Sequence, residues 1–123
     1  MSVILIVEDD VFMRDIIELM VEDLGHSTLT AGDIEDALLL LRSPDHIDAL
    51  ITDIRLKKAP LGGIELAHQA VKLRLKLPVL YMTGNSMTNE MAASFVEGAH
   101  FLQKPYSPSQ LQHSVEKMLA PSF

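Results

Sequence analysis

The sequence predicts an α/β protein in which five parallel strands form one doubly wound sheet, with five helices distributed over its two faces. Short apolar runs alternate five times with longer segments whose apolar residues follow helical spacing. The connections are short, and parallel strands must be joined by a crossover that is usually a helix. No linker, repeat or low-complexity stretch interrupts the 123 residues, so residues 1–123 are predicted to form a single domain.

The first half of the chain contains three predicted strands and two predicted helices. The strands are residues 3–7, 26–31 and 47–54, and the helices are residues 11–24 and 34–41. Residues 3–7 read Val-Ile-Leu-Ile-Val, which is typical of a strand buried on both faces. Gly25 is the predicted stop of the first helix, and Pro44 follows the second.

The second half contains two predicted strands and three predicted helices. The strands are residues 79–82 and 100–103, and the helices are residues 64–75, 87–96 and 108–119. Pro108 suits the first turn of the last helix. Met87, Met91 and Phe95 stand four residues apart, which favours one helix face packed on the core over a surface for a partner.

Composition and charge exclude several classes of protein. The absence of cysteine rules out disulfides and thiolate sites. No apolar run is long enough for a membrane span, and the first residues do not resemble a signal peptide, so a cytoplasmic location is expected. The net charge of −7 combines −11 in residues 1–53 with +4 in residues 54–123. This small basic excess argues against direct binding of nucleic acid.

Chemically useful side chains come at the ends of the predicted strands. The ligand crevice of an open α/β sheet lies beyond the carboxyl ends of its strands. Six side chains are expected at this rim: Glu8, Asp9, Asp10, Asp53, Thr83 and Lys104. Each has an ordinary alternative, since Asp10 could cap a helix, Asp53 could belong to a turn and Lys104 could be solvated.

Together these side chains suggest phosphoryl transfer. Two carboxylates about 4 Å apart repel each other by about 4 kcal/mol at an effective dielectric constant of 20. Such a cluster therefore raises its own pKa values or binds a cation, and Mg²⁺ suits one or two carboxylates. A remaining carboxylate, a hydroxyl and a lysine are the groups that phosphoryl transfer uses.

Four motifs carry a resemblance to a known family. They are residues 4–10 (ILIVEDD), 50–54 (LITDI), 78–84 (PVLYMTG) and 104–106 (KPY). With these motifs in this order and at these separations, the sequence resembles the receiver domain of two-component response regulators over essentially its whole length. The resemblance implies a flavodoxin-like sheet with strand order 2-1-3-4-5.

The resemblance also implies a role for each rim residue. Asp53 would accept a phosphoryl group from the phosphohistidine of a histidine kinase or a histidine phosphotransfer protein. Thr83 and Lys104 would each contact a phosphoryl oxygen, and the peptide bond after Lys104 is expected to be cis. Mg²⁺ is the implied cofactor. Its implied ligands are Glu8, Asp9, Asp53 and the backbone carbonyl of Arg55.

The resemblance further implies a switch that is read by another protein. Thr83 would move toward the phosphoryl group, Phe101 would follow inward, and the face of the fourth helix, fifth strand and fifth helix would change for an output protein. No output domain is expected after Phe123, which predicts a stand-alone receiver. The kinase, the output partner and the oligomeric state are not predicted.

The segment after Asp53 departs from the family pattern. Pro60 comes seven residues after Asp53, so the loop is predicted to be about two residues longer than usual in the family. The loop carries Lys57 and Lys58, which could contact a phosphodonor protein or be solvated. Arg55 stands where the family tunes the lifetime of the phosphoryl group, in a direction that the sequence does not predict.

Three other functions share features with this sequence. An aspartyl-phosphate hydrolase needs a second acid two residues after its nucleophile, where this chain has Arg55. A flavodoxin-type protein needs a phosphate-binding loop after the first strand, where Glu8, Asp9 and Asp10 would repel phosphate. A pseudo-receiver that only binds proteins stays open, although it would not need all the acidic, hydroxyl and lysine positions.

Overall fold

A computed structural model of the chain describes residues 2–56, 59–84 and 87–120. These ranges contain five strands and five helices. The strands are β1 Val3–Val7, β2 Ser27–Ala31, β3 Ala49–Asp53, β4 Val79–Thr83 and β5 His100–Gln103. The helices are α1 Val11–Asp23, α2 Ile34–Arg42, α3 Gly62–Leu73, α4 Asn89–Ala93 and α5 Pro108–Leu119. All strand pairs are parallel and the order is β2-β1-β3-β4-β5, so the predicted fold is confirmed.

Both faces of the sheet are buried under helices. Side chains alternate along a strand, so Ile4 and Ile6 pack with α1 and α5, whereas Leu5 and Val7 pack with α2 and α3. Met87, Met91 and Phe95 are partly buried against the α2–α3 side, as the spacing predicts. The central strands are consequently held from both sides, and their carboxyl ends are fixed in position.

Side-chain caps set the start of several helices. The Asp10 carboxylate accepts hydrogen bonds from the backbone N–H groups of Phe12 and Met13, at 2.9 and 3.1 Å. Asp10 is therefore the N-cap of α1, which is the structural role that the sequence offered as the alternative to a role in the site. Ser107 caps α5 through a reciprocal bond with Gln110, and Gly25 follows α1 with φ of 95°.

Helix α4 differs most from its prediction, since it covers Asn89–Ala93 instead of residues 87–96. Thr88 caps its start, and the side chains of the buried Tyr81 and the exposed His68 bind the backbone beyond its end. The Tyr81 hydroxyl accepts the N–H of Val96 at 3.2 Å, and His68 Nε2 lies 2.7 Å from the Ser94 carbonyl. These bonds take the backbone of residues 94–96 out of the helical pattern, which apolar spacing alone could not indicate.

Other boundaries moved by one to two residues. Strand β3 begins at Ala49 instead of residue 47, and α3 runs from Gly62 to Leu73 instead of over residues 64–75. The Gly63 N–H donates to the Ile54 carbonyl at 2.8 Å, which turns the chain into the helix earlier than the first apolar residue suggests. Lys57 and Lys58 of the predicted longer loop lie outside the described residues.

A search of the described ranges finds no helix with the length and apolar character that crossing a membrane requires.

Candidate functional site

The carboxyl ends of four strands bring most of the predicted rim residues together. Strands β1, β3 and β4 are adjacent, so Glu8 and Asp9 after β1 lie beside Asp53, the last residue of β3. Thr83 ends β4 opposite Gln103 of β5, and Lys104 follows directly. The sheet register thus converts four distant sequence segments into one cluster.

Three carboxylates of this cluster are within reach of a single ion. One oxygen each from Glu8, Asp9 and Asp53 lies within 4.8 Å of the others. Glu8 is only 3% exposed, and among the residues that the structure describes its Oε2 atom has no hydrogen-bond partner. A buried acceptor without a donor is energetically costly, so the site favours an added cation or proton.

Lys104 supplies the cation within the cluster. Its Nζ atom lies 3.1 Å from Asp53 Oδ2 and 3.5 Å from Glu8 Oε1. The Lys104 N–H donates to the Thr83 carbonyl at 2.8 Å, which holds Lys104 beside the end of β4. The Lys104–Pro105 peptide bond is cis, as expected. One ammonium therefore faces two carboxylates.

The pKa of Glu8 is strongly shifted by its surroundings in the site. Burial raises its pKa from 4.5 to about 8, and the hydrogen bond to Asp53 and the charge of Asp53 act in the same direction. Lys104 lowers the pKa of Glu8 but does not offset these effects. Burial and the neighbouring Asp53 therefore favour the protonated form of the Glu8 carboxyl when no metal is bound.

The donor set fits a small hard cation. Mg²⁺ takes oxygen ligands, and carboxylates are prominent among them. Glu8, Asp9 and Asp53 each offer one carboxylate oxygen within 4.8 Å of the other two, so all three could hold one such ion. The Oε2 atom of Glu8, which has no hydrogen-bond partner among the described residues, is a candidate ligand for such a cation.

The remaining predicted residues surround this cluster. Thr83 is buried at the end of β4, and Arg55 is exposed two residues after Asp53. Phe101 on β5 is half-buried, with its ring centroid 6.3 Å from that of Phe95. Phe95 in turn stacks on Tyr81 at 4.2 Å. Phe101 is therefore connected through aromatic contacts to β4, the strand that ends in Thr83.

Three residues near the site were missed by sequence reasoning. A Cβ atom on Gly63 would lie 1.8 Å from the Asp53 carbonyl oxygen, so only glycine fits there. The pKa of Tyr106 is raised to about 12 by burial and by the charges of Glu8 and Asp53. Arg14 Nη1 donates to the Glu8 carbonyl at 3.1 Å. The position of Tyr106 in the motif of residues 104–106 and the spacing of Arg14 after the acidic run were the available signals.

Comparison with known proteins identifies the family. The fold is that of a doubly wound α/β protein with an acidic site at the ends of its strands. A model of the response regulator receiver domain matches residues 4–116, so the chain belongs to this family. Receiver domains are signalling switches of two-component systems and not classical enzymes.

Individual relatives agree with this assignment. The chain is 28% identical over 117 residues to the alkaline phosphatase synthesis transcriptional regulatory protein PhoP of Bacillus subtilis, covering 94% of this chain and 48% of that protein. It is 30% identical over 119 residues to the nitrogen assimilation regulatory protein NtrX of Azorhizobium caulinodans, covering 94% and 26%. The chain spans about half or less of the length of these curated relatives.

A solved structure resembles the chain over nearly its full length. The receiver protein from Sinorhizobium medicae has a TM-score of 0.87 and 27% identity, and the match covers 96% of this chain and 94% of that one. The fold of this chain is thus also that of a solved receiver protein.

Proposed function

We propose that this receiver domain is a phosphoacceptor switch in which Asp53 takes a phosphoryl group from a phosphohistidine. The observation that carries the proposal is the position of Asp53, whose carboxylate lies between Lys104 and the acidic residues Glu8 and Asp9. A carboxylate that faces both an ammonium and a potential cation site can be approached by a phosphoryl group without prohibitive repulsion.

In the proposed reaction, a carboxylate oxygen of Asp53 attacks the phosphorus atom. A P–O bond forms as the P–N bond to the donor imidazole breaks, and the departing nitrogen keeps the electron pair. Lys104 then pairs with one phosphoryl oxygen instead of with Asp53 alone, and the Thr83 hydroxyl donates to another. These residues act by position and charge, as is general for phosphoryl transfer.

Mg²⁺ is the proposed cofactor, with Glu8, Asp9, Asp53 and the Arg55 backbone carbonyl as ligands. When bound, it would neutralise charge on the phosphoryl oxygens. The low exposure of Glu8 keeps its carboxylate from being satisfied by bulk water, and this supports a ligand role.

The proposed donor is a histidine kinase or a histidine phosphotransfer protein. Beside the site, an apolar groove of about 580 Å³ runs between α1 and the segment after β5, with Ile16, Met20 and Pro105 in its lining. Phe12 is 81% exposed and Leu19 61% exposed on the same helix. Such an apolar surface next to the acceptor suits a protein donor better than a small molecule alone.

The proposed readout runs from Thr83 to Phe101 and changes the α4–β5–α5 face for an output protein. The aromatic contacts from β4 through Phe95 to Phe101 support this route. We propose a cytoplasmic location, and an output through protein contacts instead of nucleic acid bound by this domain.

The test is phosphorylation by acetyl phosphate with Mg²⁺, followed by intact-mass measurement. We expect one acid-stable, base-labile phosphoryl group, which is lost in Asp53→Asn. The matched control is Asp10→Asn, because asparagine also caps helices and residue 10 is exposed at the same rim. If neither acetyl phosphate nor a phosphohistidine protein gives an adduct, the domain is a pseudo-receiver that binds proteins without phosphorylation.

A further inference from the structure

We propose that Arg14 is a positioning residue for the acidic pair, holding the turn at Glu8 and Asp9 in place for Mg²⁺, and that Gly32 is present to leave room for its guanidinium group. The inference rests on the proposed function, because it concerns how the same site is preorganised.

The contact of Arg14 is made with the backbone that carries the acids. Nη1 of Arg14 donates to the carbonyl oxygen of Glu8 at 3.1 Å. This carbonyl belongs to the peptide unit that joins Glu8 to Asp9, so fixing it fixes the direction in which both side chains leave the backbone. The Glu8 N–H is fixed as well, by a bond of 3.1 Å to the Ala31 carbonyl at the end of β2.

Gly32 allows this contact by having no side chain. A Cβ atom on Gly32 would lie 2.7 Å from Nη1 of Arg14, closer than real Cβ atoms come to other atoms. Gly32 does not have a positive φ, so its backbone is not in the left-handed region that favours glycine. Space for the guanidinium is consequently the reason for glycine here.

Arg14 acts on the acidic cluster through the backbone and not through its charge. A fixed positive charge near a Mg²⁺ ion would by itself weaken binding, so the expected gain in affinity comes from the fixed Glu8 carbonyl. Arginine is suited to this place because its planar donor group is preorganised. Residues that orient metal ligands typically change metal affinity when they are replaced.

The experiment is a double-mutant cycle of Arg14→Ala and Gly32→Ala, with Mg²⁺ affinity measured by titration of backbone amide NMR signals at constant pH. We expect each single variant to weaken Mg²⁺ binding about tenfold. In the Arg14→Ala background, Gly32→Ala should have no further effect, because the side chain that it displaces is gone. Arg14→Lys should lose affinity by a smaller factor, since an ammonium can still donate to the Glu8 carbonyl but lacks the planar geometry of the guanidinium.

Gly32→Ala is the informative variant because the atom it meets is the far end of a flexible side chain, so the fold can accommodate it. Thermal unfolding of the metal-free proteins provides the second readout. Unchanged Mg²⁺ affinity in both single variants, or additive losses in the double variant, would overturn the inference. If the wild-type protein bound no Mg²⁺, the proposed function itself would fail, which is a different result.

Discussion

Lys104 Nζ and Asp53 Oδ2 lie 3.1 Å apart although 51 residues separate them in the chain. The same ammonium lies 3.5 Å from Glu8, so a single lysine faces carboxylates from two strands. The ion pair is shielded, since the side chain of Lys104 is 21% exposed and that of Asp53 is 14% exposed. The proposed acceptor thus pairs with an ammonium group that can also pair with an oxygen of an incoming phosphoryl group.

Replacing this lysine should impair phosphoryl acceptance. We expect Lys104→Met to reduce the rate of phosphorylation by acetyl phosphate at least about tenfold, because one charge contact to a phosphoryl oxygen is lost. The pKa of Glu8 should also rise further, since Lys104 lowers it. Lys72→Met, an exposed position on α3, is the control. An unchanged rate in Lys104→Met would remove Lys104 from the mechanism.

Gly63 should not tolerate a side chain. In Gly63→Ala, the added carbon would meet the Asp53 carbonyl at 1.8 Å, and the α3 start would have to move. We expect a loss of about 3 kcal/mol in the free energy of unfolding, measured by urea denaturation. Gly84→Ala, where nothing lies within 4 Å of the added carbon, should change it by less than about 0.5 kcal/mol. Equal effects would contradict the close approach.

The stability of the metal-free protein should fall as pH rises from about 4.5 to about 8. Folding raises the pKa of Glu8, so in this range the folded state binds more protons than the unfolded state, and each step up in pH favours unfolding. Glu8→Gln should lack this fall and be more stable than wild type at pH 8. Excess Mg²⁺ at pH 8 should stabilise wild type but much less so Glu8→Gln. Parallel pH profiles of the two proteins would refute this explanation.

Two tyrosines offer a matched comparison of buried hydroxyls. Tyr81→Phe should cost about 1–2 kcal/mol of unfolding free energy, because the buried N–H of Val96 loses its acceptor. Tyr106→Phe should be nearly neutral, since within the described ranges the Tyr106 hydroxyl is buried without a partner. Denaturant unfolding of both variants tests this comparison. A larger loss of unfolding free energy in Tyr106→Phe than in Tyr81→Phe would contradict it.

Phe101 should be needed to carry the effect of phosphorylation away from the site. In Phe101→Ala treated with acetyl phosphate and Mg²⁺, amide NMR shifts near Asp53 and Thr83 should persist, whereas those on α4 and β5 should largely disappear. Phe12→Ala, a ring that is 81% exposed on α1, is the control and should keep both sets. Retained α4 and β5 shifts in Phe101→Ala would exclude this route.

The strands and the strand-end residues could be predicted because their signals are local. Runs such as Val3–Val7 and the acids that follow them need no knowledge of distant residues. The length of α4 depends on Tyr81 and His68, which come from other elements, and no pattern within residues 87–96 encodes these bonds. The tasks of Gly63 and Arg14 were missed for the same reason, because each depends on a contact across the fold.

Helix α4 has five residues, none of them fully buried, and it packs on the core through the partly buried Met91. The free energy needed to open it locally is therefore far below that of β4, and its amide hydrogens should exchange with solvent first. A protein that recognises this face must order a segment that the domain itself holds weakly. In the proposed switch, phosphorylation would act by changing how much of this ordering an output partner has to supply.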